Sequence, residues 1–399
     1  MSLKLAAPIC AVLFLVTLNA AHACENDFAR LDADFEGARM SECVAKKHSF
    51  NIRIDPENTP INPSPWYAFR VTPKQPGELK IVIRYSDSSH RYRPKRSDDA
   101  TVWRLIDEKR VRERRKGKKV TLRLETEDEP FFVAGQELLV AGTYQKWTDR
   151  LVEAASLRTE IIGASVEGRP LVAIYSDPKP GAEKKEHVLF LGRQHPPELT
   201  GSIAMLSFLE TVFADTALAR QFRDRFHITA IPLMNPDGVK NGNWRHNTNG
   251  VDLNRDWGPF TQPETQAVKR LADAIANDKN GELRLMLDFH STSRNVFYTQ
   301  FRDVETIPPK YTRDWLAAAN ARLKGRAFER AERHQTELPT SKNYFHGRFG
   351  APAITYELGD QTDRRLIRGS SIIFAEEMME TLLASDPSLA DKASPPNSE

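Results

Sequence analysis

The sequence predicts an α/β protein with a mixed sheet flanked by helices, preceded by a smaller antiparallel β-sandwich. Three observations carry this. Residues 60–145 hold short β-rich runs separated by Pro, Gly, Asp and Ser, with no helix-length periodicity. Beyond about Thr148, apolar strand-like runs alternate with amphipathic helical stretches, the pattern of α/β layers. A chain of 399 residues, 40% hydrophobic and with a formal charge of +3, has the length for two soluble domains.

Taken in order, the chain opens with Lys4, an apolar stretch from Leu5 to Leu18 and Ala21-His22-Ala23, a small-x-small tripeptide of the kind signal peptidase cuts. Residues 1–23 therefore read as an export signal and the protein as periplasmic or extracellular. The apolar stretch is shorter than the ~20 residues of a spanning helix, so no membrane span is expected in the mature chain. Residues 24–59 are set apart as an N-terminal segment. Cys24 and Cys43, the cysteines left after cleavage, are expected to pair, with lipid modification of Cys24 as the rival reading.

The sandwich, residues 60–147, rests on the runs Trp66 to Val71, Leu79 to Tyr85, Lys119 to Leu124 and Glu137 to Ala141. Within it, Lys109 to Lys119 holds eight Lys or Arg in eleven positions. This is either a solvated hairpin or an electrostatic attractor for an acidic partner. The near-neutral overall charge and the lack of a binding motif argue against nucleic acid. In residues 148–385, strands are expected at His187 to Leu191, Ile228 to Leu233, Leu283 to Phe289 and Ala353 to Leu358. Helices are expected at Leu199 to Phe213, Pro263 to Ile275, Thr312 to Leu323 and Ser371 to Leu383. The tail, residues 386–399, is Pro/Ser-rich and reads as disordered.

Candidate chemistry gathers just beyond the strand-like runs, where ligands bind in open α/β sheets. His195 and Glu198, three positions apart after Val188 to Leu191, can chelate one zinc ion; a hydrolytic zinc needs a third ligand and an open position. His290, after Leu283 to Leu287, is the natural third ligand, and Asp288 is placed to orient it. Glu357, at the end of an apolar run, is the best general base in the chain. Between these lie Asn235 to Gly238, Gly242 to Arg245 and Gly250 to Trp257, rich in Gly and Asn. They present Arg245 and Arg255 on irregular backbone, which suits a substrate carrying a carboxylate.

The ordered motifs HPPE, NPDG, GNWR, GVDLNRDW, DFHS and TYELGD resemble the zinc metallocarboxypeptidases of the carboxypeptidase A superfamily, and GASVEGRPL (Gly163 to Leu171) resembles the hairpin opening that catalytic domain. NPDGVKNGNWR with GVDLNRDW, preceded by WYAFRV and RYRPKR, resembles the cytosolic carboxypeptidase branch, whose members trim glutamates from protein C-termini and side chains. The resemblance implies a zinc carboxypeptidase domain with one Zn2+ held by His195, Glu198 and His290. Arg245 would stabilise the oxyanion, Asn254 and Arg255 clamp the terminal carboxylate, and Glu357 act as proton shuttle. The partner would be a peptide or protein C-terminus.

The family's mobile tyrosine has no counterpart in Ala331 to Leu338, leaving Tyr344 as a conditional substitute. Alignment with the family's strand leading to the catalytic glutamate puts Lys342 and Asn343 near the base of the specificity pocket, which implies preference for acidic C-terminal residues. Two other readings stay open: an exported zinc amidase or deacylase acting on cell-wall peptides or acyl-amino acids, and a non-catalytic peptide-binding pseudoenzyme. Intact His195, Glu198, His290 and Glu357 oppose the latter.

Overall fold

The computed structural model describes residues 23–176, 185–333 and 337–385. The signal-like segment, apart from Ala23, and the tail 386–399 lie outside the described residues.

The N-terminal region stacks two sheets. Strands β1 (Ala23–Glu25), β2 (Ala29–Asp32), β3 (Glu42–Lys46), β4 (Ser49–Ile54), β5 (Ala68–Pro73) and β6 (Gly77–Tyr85) are followed by β7 (Lys95–Ser97), β8 (Arg104–Leu105), β9 (Val111–Arg114), β10 (Lys119–Thr126) and β11 (Phe131–Ala134). One sheet runs β1-β2-β5-β11-β7-β8 and is wholly antiparallel; the other runs β3-β4-β6-β10-β9, with β4 and β6 parallel. Alternation along the strands turns Phe50, Ile81 and Leu122 of one sheet toward Leu31, Phe69 and Phe131 of the other. Residues 24–59 are thus no separate segment, because β2 and β4 place Leu31, Phe50 and Ile52 in this core. Cys24 of β1 and Cys43 of β3 form a disulfide, Cα–Cα 5.7 Å. Glu137 to Ala141 is not a strand: it runs without pairing into α1 (Ala141–Ala155), which buries Tyr144, Trp147 and Leu151.

Strands β12 (Arg158–Ala164) and β13 (Pro170–Ser176) form the expected hairpin. They continue into an eight-stranded mixed sheet with β14 (Lys185–Gly192), β15 (Phe226–Ile231), β16 (Gly281–Thr292), β17 (Val296–Thr299), β18 (Glu329–Glu332) and β19 (Ala353–Gly359). The order is β12-β13-β15-β14-β16-β19-β17-β18, and the centre, β15-β14-β16-β19, is parallel. Continuous burial along β16 reflects cover on both faces. Helices α2 (Leu199–Val212), α3 (Ala217–Arg225), α6 (Tyr311–Arg322) and α8 (Arg364–Leu383) pack on one face, with Phe208, Phe222, Trp315 and Phe374. α5 (Pro263–Asn277) and α7 (Ser341–Phe349) pack on the other, through Val268 and Phe345; short α4 (Pro236–Lys240) caps a loop at the strand ends.

Candidate active site

Three adjacent parallel strands deliver the chemistry at their C-terminal ends. β14 stops at Gly192 and the chain turns through Arg193, whose side chain donates to Pro196 O at 2.7 Å and Ser202 Oγ at 3.1 Å, closing a tight turn that leaves Glu198 at the N-terminus of α2. Pro196 rests on Gly238, where a Cβ would lie 2.6 Å from its ring. Helix α2 sits directly on β16: a Cβ on Gly201 would be 2.3 Å from the His290 carbonyl oxygen. Asp288 and His290 come from β16, and parallel register sets Glu357 of β19 beside His290.

The two histidines and Glu198 converge, their ligating atoms all within 4.8 Å of one another. His195 Nε2 lies 2.8 Å from Asp252 Oδ1 and His290 Nε2 2.9 Å from Asp288 Oδ2; carboxylates only accept, so each imidazole donates there. That leaves both Nδ1 lone pairs turned inward, 3.2 Å apart, with His195 Nδ1 2.9 Å from Glu198 Oε1 and His290 Nδ1 2.8 Å from Glu198 Oε2. Acceptor atoms facing one another without protons call for a cation, and two imidazoles with a carboxylate suit zinc. Burial, then the Glu198 carboxylate, pushes Glu357 up to about 7. Glu357 Oε2 is buried without a hydrogen-bond partner among the described residues.

Asp252, to which the sequence alone assigns no role, ties two parts together: its Oδ1 accepts from His195 and its Oδ2 accepts from Arg245 Nε at 2.7 Å. The loop carrying Arg245 is held by the sandwich. Trp244 is fully buried in the sandwich core and donates to Trp66 O at 3.1 Å. Glu57, from the link between β4 and β5, accepts from the backbone N–H groups of Trp244, Arg245 and His246 at 2.7, 2.9 and 2.6 Å. Asn58 donates to Gly250 O at 3.0 Å and meets His246 Nδ1 at 2.6 Å.

These side chains surround a cleft of about 470 Å³ lined by His195, Glu198, Arg245, Asn254, Arg255, His290, Lys342, Asn343 and Glu357 together with Arg91, Tyr298 and Arg333. Lys342 and Asn343 lie on helix α7 and not on a strand, capped by Thr340. Lys342 Nζ donates to Arg333 O at 2.6 Å and Asn343 Oδ1 at 2.9 Å, and burial pushes its ammonium down to about 8. Asn254 Oδ1 accepts from Ser341 N at 3.0 Å, and Arg255 Nη1 donates to Asn254 O at 2.7 Å.

Tyr344 does not line the cleft. One residue on from Asn343, the helical turn carries it to the other side of α7, 4.9 Å from the Phe260 ring, with its hydroxyl accepting from Arg348. The tyrosine at the cleft is Tyr298 of β17, beneath the Arg333 guanidinium at 4.7 Å. Arg91, from the link between β6 and β7, reaches the cleft wall while donating to Asp360 Oδ2 at 2.8 Å and Ser64 Oγ at 2.6 Å. Glu57 leaves no periodic or motif signal in sequence, and Arg91, though it opens the RYRPKR motif, gives no sign there of reaching the cleft.

The profile of the zinc carboxypeptidase family matches residues 144–367. Among curated proteins, the chain is 34% identical to mouse cytosolic carboxypeptidase 6 over 148 residues, 35% of this chain and 27% of the relative, and 30% identical to human cytosolic carboxypeptidase 1 over 38% of this chain and 13% of the relative. The matched stretch thus spans about a quarter or less of these relatives. A metallo-carboxypeptidase structure from Burkholderia cenocepacia superposes with a TM-score of 0.73 at 19% identity, covering 89% of this chain and 98% of that one. A metallo-carboxypeptidase from Pseudomonas aeruginosa in complex with (2-guanidinoethylmercapto)succinic acid superposes with a TM-score of 0.69 at 19% identity, covering 88% and 97%. Both extend the shared fold across the sandwich. The expectation of an exported, periplasmic protein is corrected here: the curated relatives it matches are cytosolic carboxypeptidases. Among the described residues, no single helix is long and apolar enough to cross a membrane.

Proposed function

Since this chain belongs to the zinc carboxypeptidase family, we propose that it removes the C-terminal residue of a peptide or protein, through a peptide or isopeptide bond, and prefers an acidic residue there. The observation that carries the reading is the inward-facing acceptor set of His195, Glu198 and His290, with Glu357 in register beside it. Zinc bound by those three residues supplies Lewis acidity and lowers the pKa of water.

The chain's own groups do the rest. Glu357, its carboxyl raised to about 7 by burial and Glu198, is poised near neutrality to take a proton from the attacking water and return it to the leaving nitrogen. Arg245, steadied by Asp252, offers its guanidinium to the negative charge that develops on the carbonyl oxygen. Asn254 and Arg255 hold the terminal carboxylate, the guanidinium by paired hydrogen bonds. Glu198 and Glu357 are the only carboxylates lining the cleft among the described residues, against Arg91, Arg245, Arg255, Arg333 and Lys342. Lys342, assigned to the substrate's side chain together with Asn343, takes only neutral oxygens as partners among the described residues, which supports an acidic occupant.

The test is hydrolysis of matched peptides ending in Glu, Leu and Lys, with products weighed by mass spectrometry. Loss of one C-terminal residue, fastest from the Glu peptide, is expected. Faster release of Leu or Lys overturns the acidic preference, and release of none overturns the reaction.

A further inference from the structure

The basic run Lys109 to Lys119 is more than a solvated hairpin. Arg112 and Arg114 of β9 and Lys119 of β10 lie on the face of their sheet turned away from the core, while Glu113, opposite Val120, lies on the inner side. Register extends the pattern: Arg53 stands opposite Arg84, Arg84 opposite Lys119 and Lys119 opposite Arg114, a row of four cations across neighbouring strands. Like charges directly opposed destabilise a sheet. Glu42 and Asp55 offset Arg53, but Arg84, Arg112, Arg114 and Lys119 have no carboxylate partner among the described residues.

The turn that follows adds to this. Arg115 and Lys116 both have φ of 54° and Gly117 80°, left-handed positions that favour Asn or Gly. Two exposed cations hold them without packing in return. The turn is docked against the segment that leads to Arg91: His90 N donates to Gly117 O at 3.0 Å, and a Cβ on Gly117 would lie 3.0 Å from that of Ser89. The next residue, Arg91, lines the cleft. The basic turn therefore meets the chain one residue before a residue of the cleft wall.

We infer that this turn and the outer face of the sheet bind an acidic polypeptide, the stretch of the substrate that precedes its C-terminal residue. The inference rests on the carboxypeptidase reading and extends it from one residue to a segment. The row of cations has no aromatic side chain on which bases would stack, and the cleft beside it takes a chain terminus, so an acidic peptide fits better than a nucleic acid.

The probe is a fluorescein-labelled Glu-rich peptide with an amidated C-terminus, which the cleft cannot clamp, titrated with the full protein at low salt and read by fluorescence anisotropy. Binding that weakens as salt rises is expected. Arg115→Glu/Lys116→Glu/Lys118→Glu should weaken it at least ~10-fold, and Arg84→Gln/Arg114→Gln less. Turnover of a short two-residue substrate should be unchanged in both variants, which also reports an intact fold. Equal affinity of wild type and the charge-reversed turn overturns the inference. So does tighter binding of an oligouridine of matched charge. Failure of the short substrate to be cleaved by wild type counts against the carboxypeptidase reading alone, because anisotropy needs no turnover.

Discussion

The α/β region brings His195, Glu198, His290 and Glu357 to the cleft from the ends of adjacent parallel strands, whereas the sandwich brings Glu57 and Asn58 to the loop that carries Arg245, and Arg91 to the cleft wall, from the links between its strands. In the first case hydrogen-bonded register sets the positions, and the same ladder that stabilises the sheet aligns Glu357 with His290. In the second, the sheets only support loops that reach across, and the contact is made by carboxylates and amides meeting another region's backbone. The difference separates the proposed chemistry from positioning: strand ends carry the groups assigned to the reaction, and the sandwich holds the loop that presents Arg245. A site divided this way depends on the interface between the two regions.

Four experiments test that division. The largest effect belongs to the strand-end set: Glu357→Gln should lower kcat by roughly 10²- to 10⁴-fold while zinc content, measured by atomic absorption, stays near one per chain. Retained turnover would remove Glu357 from the mechanism. Trp244→Ala, which empties a fully buried aromatic from the sandwich core, should cost about 3–5 kcal/mol and lower Tm and turnover together. An unchanged Tm would show that the regions are held by other contacts.

Glu57→Gln is a gentler probe of positioning, since it keeps the shape and loses the charge that three N–H groups share. Turnover should fall roughly 10-fold, with KM unchanged and Tm lowered little. A rise in KM alone would assign Glu57 to substrate binding instead. The smallest effect is pH-dependent. Burial lowers Lys342 to about 8, so its ammonium is present below that pH and lost above it. The Glu-over-Leu ratio of kcat/KM should therefore fall as pH rises through about 8, and Lys342→Met should abolish both the preference and this pH dependence. A ratio flat from pH 7 to 9 would place the acidic preference elsewhere.

Much of the α/β region was legible. Apolar runs at β14, β16 and β19 mark strands because burial on both faces removes polar alternation, and the candidate ligands follow those runs directly. Sequence also showed the antiparallel texture of the sandwich, but not that residues 24–59 belong to it, since β1 to β4 are short and partly polar. Alignment of Ser341 to Glu357 with the family's strand leading to the catalytic glutamate did not show the helix that Thr340 caps, whose geometry separates Lys342 and Asn343, which line the cleft, from Tyr344, which does not. Asp252 was visible inside GVDLNRDW, yet its double role needed the distances to His195 and Arg245.

The candidate groups at the strand ends were readable from sequence, because donor type and spacing are local properties: His-x-x-Glu on a turn, His two after Asp on one strand face, Glu at the end of an apolar run. What surrounds those groups is fixed by packing in three dimensions. That Glu57 clamps the Arg245 loop, that Arg91 enters the cleft wall and that the basic turn meets the segment just before Arg91 depend on contacts between residues far apart along the chain. Nothing in local propensity encodes such contacts, and packing of the sandwich against the α/β region creates them.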